Sequence, residues 1–188
     1  MKKIALFTLL LSSLYGDSKI YLGLGYGLYN ENLTYENNNY QKVQNDISPD
    51  FFGLKVGYGD RAAYAIEFSL DYINNNEELF QANDGAKYGL NIDLLKAFDF
   101  NIYVLPFAKV GFGAGVLDSD IDADDGKLYY GSFNAGGGIF IPLNETLDFE
   151  VSYDYRYINY EKLQGRSVND YTSTSHINMF YVGINTRF

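Results

Sequence analysis

The sequence predicts an all-β protein: one eight-stranded antiparallel up-and-down barrel of the transmembrane kind. Three observations carry that reading. Apolar residues recur with period 2 over eight segments, the connections between segments alternate short and long, and the polar face of two segments is bare glycine. The 188 residues are one domain's worth of chain.

The segments follow in order. Ile20, Leu22, Leu24, Tyr26 and Leu28 share a face opposite Tyr21, Gly23, Gly25 and Gly27. Phe52, Leu54, Val56 and Tyr58 form the second strand. The third, residues 63–73, sets Tyr64, Ile66, Phe68, Leu70 and Tyr72 against Ala65, Glu67, Ser69 and Asp71. Tyr88, Leu90, Ile92 and Leu94 mark the fourth, Val110, Phe112, Ala114 and Val116 the fifth, and Phe133, Ala135, Gly137 and Ile139 the sixth. In the seventh, residues 146–157, Leu147, Phe149, Val151, Tyr153, Tyr155 and Tyr157 oppose Asp148, Glu150, Ser152, Asp154 and Arg156. The eighth runs through Phe180, Val182 and Ile184 to Phe188. Short turns at 59–61, 98–101 and 142–145 use Gly, Asp, Asn and Pro. Long polar loops are expected at 30–48, 74–86, 118–126 and 159–174. In a meander every second connection lies at the same end, so the four long loops share one rim.

Period 2 shows two faces without saying which points inward. A soluble barrel of the lipocalin type is the rival of an outer-membrane barrel on this count. Composition of the polar face decides between them. Gly23, Gly25, Gly27, Gly111, Gly113 and Gly115 would weaken a solvent-facing surface, whereas inside a narrow barrel glycine leaves room for neighbouring large side chains. The glycine face is therefore the lumen, and the Leu, Ile, Val, Phe and Tyr face meets lipid. Tyr58, Tyr64, Tyr72, Tyr88, Tyr155 and Tyr157 gather toward strand ends as an interfacial girdle requires.

Residues 1–16 read as a signal peptide: Met1-Lys2-Lys3 is a positive start, and the apolar run from Ile4 is too short to span a bilayer. Residues 17–188 are then the barrel domain. With 24 acidic against 14 basic residues the net charge is −10, which argues against nucleic acid as a partner. The absence of Cys excludes disulfides, thiolate metal sites and thiol catalysis.

With its leading signal, alternating strands and terminal strand from Tyr181 to Phe188, the sequence resembles the small outer-membrane β-barrels of Gram-negative bacteria, the OmpA/OmpX type. Pro106-Phe107-Ala108-Lys109-Val110-Gly111-Phe112-Gly113 is similar to a run found in that family. The resemblance implies a place in the outer membrane with both termini periplasmic, and contact with outer-membrane lipid and lipopolysaccharide. It also implies recognition by the barrel-assembly machinery through Gly183 and Phe188, although Thr186 stands where an apolar residue is usual.

The lumen face collects Lys55, Glu67, Asp71, Asp93, Lys109, Glu150, Asp154, Arg156 and Arg187, and buried charges must be paired, so a polar network filling the barrel is expected. Its functional alternative is a narrow ion channel. A lipid A-modifying enzyme is the weaker alternative. Related barrels that deacylate lipid A carry a serine two positions after a histidine. Here Asn178 holds that place after His176, and Ser175 points to the other face. No catalytic residue, cofactor or metal site is therefore assigned. The run from Asp118 to Gly126 lacks the Gly and Glu of a calcium loop, and no helix pattern follows the glycine rows, so they are not dinucleotide sites. Tyr29, Tyr35, Tyr40, Tyr160 and Tyr171, lying in or beside the Asn-rich loops, give a composition suited to adaptable contacts with a surface or host ligand. The expected role is structural or surface-interacting, through the extracellular loops, and non-enzymatic.

Overall fold

The computed structural model describes residues 19–37, 42–60, 62–74, 85–119, 126–164 and 170–188. Ten strands run in order: β1 (Lys19–Asn37), β2 (Lys42–Ile47), β3 (Asp50–Gly59), β4 (Tyr64–Asn74), β5 (Lys87–Ala97), β6 (Leu105–Asp118), β7 (Lys127–Pro142), β8 (Leu147–Tyr160), β9 (Leu163–Gln164) and β10 (Asp170–Arg187). Eight of them, β1, β3 to β8 and β10, close an antiparallel wall in which β10 pairs back to β1. The two short strands extend hairpins above it.

The register fixes the barrel's dimensions. Following paired residues from Gly23 through Lys55, Ser69, Asn91, Gly113, Ser132, Ile158 and Ser175 returns to β1 at Leu33, ten residues further on. Ten residues of about 3.3 Å against eight spacings of about 4.8 Å give a strand tilt of about 41° and an axis-to-backbone radius of about 8.3 Å. Such a lumen has room for side chains and little else.

Burial follows the expected parity. Leu22, Leu24, Val56, Phe68, Leu90, Phe112 and Ile184 stand exposed on the outer wall, while the intervening residues are buried. On the outer face the girdle has a lower rim at Tyr58 and Tyr64, the latter under the Lys96 ammonium at 4.1 Å, and an upper rim that includes Tyr72 and Tyr88.

Two expected loops are strand instead. β1 pairs with β2 up to Glu36↔Lys42, in the same register that β1 keeps with β3 down to Lys19↔Gly59. β2 and β3 are thus one strand interrupted at Ser48-Pro49, where proline has no N–H to donate. Likewise β8 reaches Tyr160 and β10 begins at Asp170. Thr174↔Asn159 and Tyr171↔Leu163 differ by one residue in register, which places a bulge at 160–162. These stretches read as loops because Asn, Thr and Ser give them no apolar outer face.

Turns at the opposite rim are tight and side-chain-held. Asn144 Oδ1 accepts from the Thr146 and Leu147 amides, and Asp60 Oδ1 from the Ala62 amide. The connection expected at 98–101 extends to 104, turning at Asn101 with φ of 57° while its amide donates to Asp99 Oδ1. Arg61, the tips of the four long connections and the 1–16 segment lie outside the described residues.

Candidate functional site

The lumen is layered, and its middle tier holds eight of the nine charged residues expected there. All nine are at most 9% exposed. Their positions follow from parity, since each stands one residue out of phase with a lipid-facing side chain. Lys55 Nζ donates to Glu150 Oε2 at 2.5 Å and lies 3.2 Å from Glu67 Oε2. Lys109 Nζ donates to Asp154 Oδ2 at 2.7 Å and to the Tyr181 hydroxyl at 2.9 Å. Arg156 pairs with Asp71, which also accepts from Asn91 Nδ2 at 2.6 Å. Glu150, wholly buried, accepts four hydrogen bonds: from Lys55 and Asn185 on Oε2, and from Tyr181 and Ser152 on Oε1. Four donors occupy the four lone-pair directions of a carboxylate. Asp93 lies in the same tier with its Oδ1 buried and, among the described residues, without a hydrogen-bond partner. A cavity of about 20 Å³, lined in part by Lys55, Asp71 and Arg156, is large enough for one water.

Arg187 sits below the others, donating to Asp148 Oδ2 at 2.7 Å with its guanidinium 4.7 Å from the Tyr21 ring.

Inward glycines make the tier fit. Gly111 faces Asp93, Gly113 faces Asn91, Gly136 faces Asp154, Gly23 faces Asn185 and Gly57 faces Tyr21, each on a neighbouring strand. A Cβ at any of these glycines would collide with the side chain opposite. The large polar groups lie flat across the bare positions.

The lumen is not polar throughout, contrary to the expectation from the sequence. Below the charged tier Ala65, Leu95, Ala97, Leu105, Phe107 and Phe140 pack together with Tyr21, the Phe107 and Phe140 rings stacking at 4.4 Å. Above it Leu33, Ile73, Leu117, Leu128, Ile158, Ile177 and Met179 meet in a second apolar cluster. Embedded in that upper cluster, Lys87 Nζ donates to Glu31 Oε2 at 2.5 Å, with the Tyr29, Tyr130 and Tyr160 rings 5.5 to 5.9 Å away. Tyr29 and Tyr160 also donate to Glu31. The sequence reading placed Tyr29 and Tyr160 among adaptable contacts, but both are buried in the lumen. Side chains of Tyr35, Tyr40 and Tyr171 lie outside the described residues. Glu31 and Lys87 fell just outside the strands read from the sequence, and extending each alternation by a single step would have found them.

Outward residues invert over the same height. On β10 the outer face changes from Ile184, Val182 and Phe180 to Asn178, His176 and Thr174, while the inner face changes from Arg187 and Asn185 to Met179 and Ile177. β1 changes likewise from Leu28 to Asn30. Apolar outside with polar inside suits lipid, and polar outside with apolar inside suits water. The change marks where the wall leaves the hydrocarbon. At about 2.5 Å of height per tilted residue, a band about 25 Å tall takes ten residues, so β1 and β10 with 19 and 18 residues rise about 20 Å beyond it.

His176 stands on this upper outer wall. Its Nδ1 lies 2.5 Å from the Tyr155 hydroxyl, and Asn178 accepts from Tyr153. Ser175 is buried on the other face. Among the described residues no group of three or more His, Asp or Glu could hold a metal ion. Gly183 faces Gly25 across the β10–β1 seam, and Phe188 is 69% exposed at the lower rim.

A closed eight-stranded wall with a lipid-facing belt and charges in its lumen defines an integral outer-membrane β-barrel. The sequence matches the family described as Outer membrane protein beta-barrel domain over residues 5–188, and the chain belongs to it. Its place is the outer membrane of a Gram-negative bacterium. Among curated proteins none matches the sequence. Among solved structures it is similar to Neisserial surface protein A, with TM-score 0.62 and 11% identity, covering 92% of this chain and 100% of that one. AlkL, solved in lipid bilayers, gives TM-score 0.56 and 11% identity over 93% and 92%. OprG from Pseudomonas aeruginosa gives 0.52 and 14% over 90% and 96%. At these identities the likeness is one of fold.

Proposed function

We propose that the protein is a closed, non-conducting barrel whose role is structural or surface-interacting, carried by the hairpins above the membrane. The observation behind this is the layered lumen. An ion reaching the charged tier would have to shed water among Leu105, Phe107 and Phe140 from one side, and from the other among Leu33, Leu117, Ile158 and Ile177, which pack round the mutually paired Lys87 and Glu31. Charges between two apolar seals stabilise a wall; they do not line a path. The upper apolar cluster also stiffens the paired stem above the belt, a rigid support suited to presenting a surface for a host ligand. His176 is a wall residue in this reading, not a catalyst. Residues 1–16 are the export signal, both termini are periplasmic, and Gly183 with Phe188 forms the part of β10 that the assembly machinery reads.

Planar-bilayer recording of the purified barrel tests the proposal. No discrete conductance is expected. Stepwise single-channel currents that follow salt concentration would overturn it in favour of a narrow channel.

A further inference from the structure

The middle tier of the lumen sets five carboxylates against three cations. Four of the five are paired, for Lys55 serves Glu150 and Glu67, Lys109 serves Asp154, and Arg156 serves Asp71. Asp93 is the fifth. It is 3% exposed, and among the described residues no ion pair holds it and no donor reaches its Oδ1.

The register explains this isolation. Asp93 stands opposite Glu67 across the β4–β5 seam and opposite Gly111 across the β5–β6 seam. Glu67 is an acceptor of the same charge, and residues opposed in this way have their Cβ atoms about 5 Å apart. Gly111 has no side chain to offer, and a Cβ there would come within 2.2 Å of Asp93 Oδ1. The other charged groups that face Asp93 are Lys109 on β6 and Asp154 and Arg156 on β8. Both cations are engaged elsewhere, Lys109 with Asp154 at 2.7 Å and Arg156 with Asp71. An ionised Asp93 would set two negative charges against each other, one of them buried without a donor.

We propose that Asp93 is a proton-binding site, enclosed in the barrel as a neutral carboxylic acid. The proton converts one acceptor into an O–H donor. It does so in a tier with acceptors to spare, Asp154 Oδ1 being a second buried oxygen without a hydrogen-bond partner among the described residues. It also removes one of the two negative charges that five carboxylates hold in excess of three cations. Of the two opposed acids Asp93 takes the proton, because Glu67 keeps Lys55 at 3.2 Å and accepts from the Tyr21 hydroxyl at 2.9 Å. In the unfolded chain at neutral pH an aspartate is ionised, so folding takes up one proton and stability falls as pH rises. Acidic surroundings therefore favour assembly of the barrel. The assignment rests on pairing within the tier and is independent of the role of the hairpins above it.

The test uses the full barrel in lipid vesicles, with two readouts. Urea titrations are run between about pH 7 and 8.5, where ordinary carboxylates are ionised and Lys and Tyr have not begun to titrate. The unfolding equilibrium constant of the parent barrel is expected to rise about tenfold per pH unit, the signature of one proton held only in the folded state. Asp93→Asn has the shape of the neutral acid, so it should fold, match or exceed the parent in stability, and lose that slope. His176→Asn, on the exposed outer wall, should leave the slope unchanged and so rule out the one histidine as its source. Infrared spectra with isotope-labelled aspartate supply the second readout. The parent barrel should show the carbonyl band of a protonated carboxylic acid, and Asp93→Asn should lack it. A flat pH profile with no acid carbonyl band would overturn the proposal. So would a slope or a band that survives Asp93→Asn, or an Asp93→Asn barrel that fails to refold or unfolds at lower urea than the parent.

Discussion

Replacing Glu150 probes the charged tier at its centre. In Glu150→Ala the Asn185 amide, the Tyr181 hydroxyl and the Ser152 hydroxyl each lose a buried acceptor, and Lys55 keeps only Glu67 at 3.2 Å. Three orphaned donors at about 1.5 kcal/mol each, with about 2 kcal/mol for the half-uncompensated ammonium, amount to a loss of about 6.5 kcal/mol. Glu150→Gln behaves differently. Its carbonyl can face Lys55 and Asn185, while the Tyr181 and Ser152 hydroxyls turn to accept from its NH₂. The geometry survives, only the charge is lost, and the cost falls to about 2 to 3 kcal/mol. Lys55→Met alone would leave Glu67 and Glu150 buried side by side without their shared cation, so the double variant Lys55→Met/Glu150→Gln should be less damaged than the sum of its parts, with a coupling of about 2 kcal/mol. Urea titration of the barrel in lipid vesicles, read by the shift between folded and unfolded gel mobility, measures all four proteins. If Glu150→Ala and Glu150→Gln unfold at the same urea concentration, the four-bond account of Glu150 is wrong.

Three further outcomes follow from the packing. Gly57→Ala drives a Cβ into the Tyr21 ring and should cost about 1 to 3 kcal/mol, whereas Gly131→Ala, with nothing within 4 Å, should leave the urea midpoint unchanged. Arginine at Leu24, within the belt, should cost about 2 to 4 kcal/mol, and at Asn32, above it, no more than about 1 kcal/mol, a contrast readable by vesicle refolding. Lys87→Met strands the fully buried Glu31 carboxylate with, among the described residues, only the Tyr29 and Tyr160 hydroxyls as side-chain donors, so a loss of about 3 kcal/mol is expected in the same assay.

Much of this was legible in the sequence because lipid imposes period 2 without exception across the belt. The alternation at Ile20, Leu22, Leu24 or Leu147, Phe149, Val151 gives strand, face and direction at once. The glycine rows supplied the inside. Where water replaces lipid, the rule relaxes. Asn30, Asn32 and Thr34 carry no apolar outer signal, and the apolar residues that alternate with them or with their partners on β10, such as Leu33 and Ile177, belong to the inner face. A reading that seeks apolar residues outside therefore stops at Leu28 and Phe180 and takes the paired stem for loop. The Lys87–Glu31 pair and the upper apolar seal were lost for the same reason. The pairing of Glu150 with Lys55 depends on residues 95 apart in sequence, and that requires the register.

The ten-residue stagger has one more consequence. Side-chain parity permits slippage only in steps of two, so the nearest mistaken closures between β10 and β1 have staggers of eight or twelve. Those would alter the radius of about 8.3 Å by about 0.7 Å either way. At eight, Tyr181 and Glu150 would have no room. At twelve, the layer would gape enough to strand its charges. Tyr181 would also lose Gly27, the bare position its backbone pairs with on β1. The contents of the lumen thus act as a gauge block, and the circumference of the wall is set by what it has to enclose.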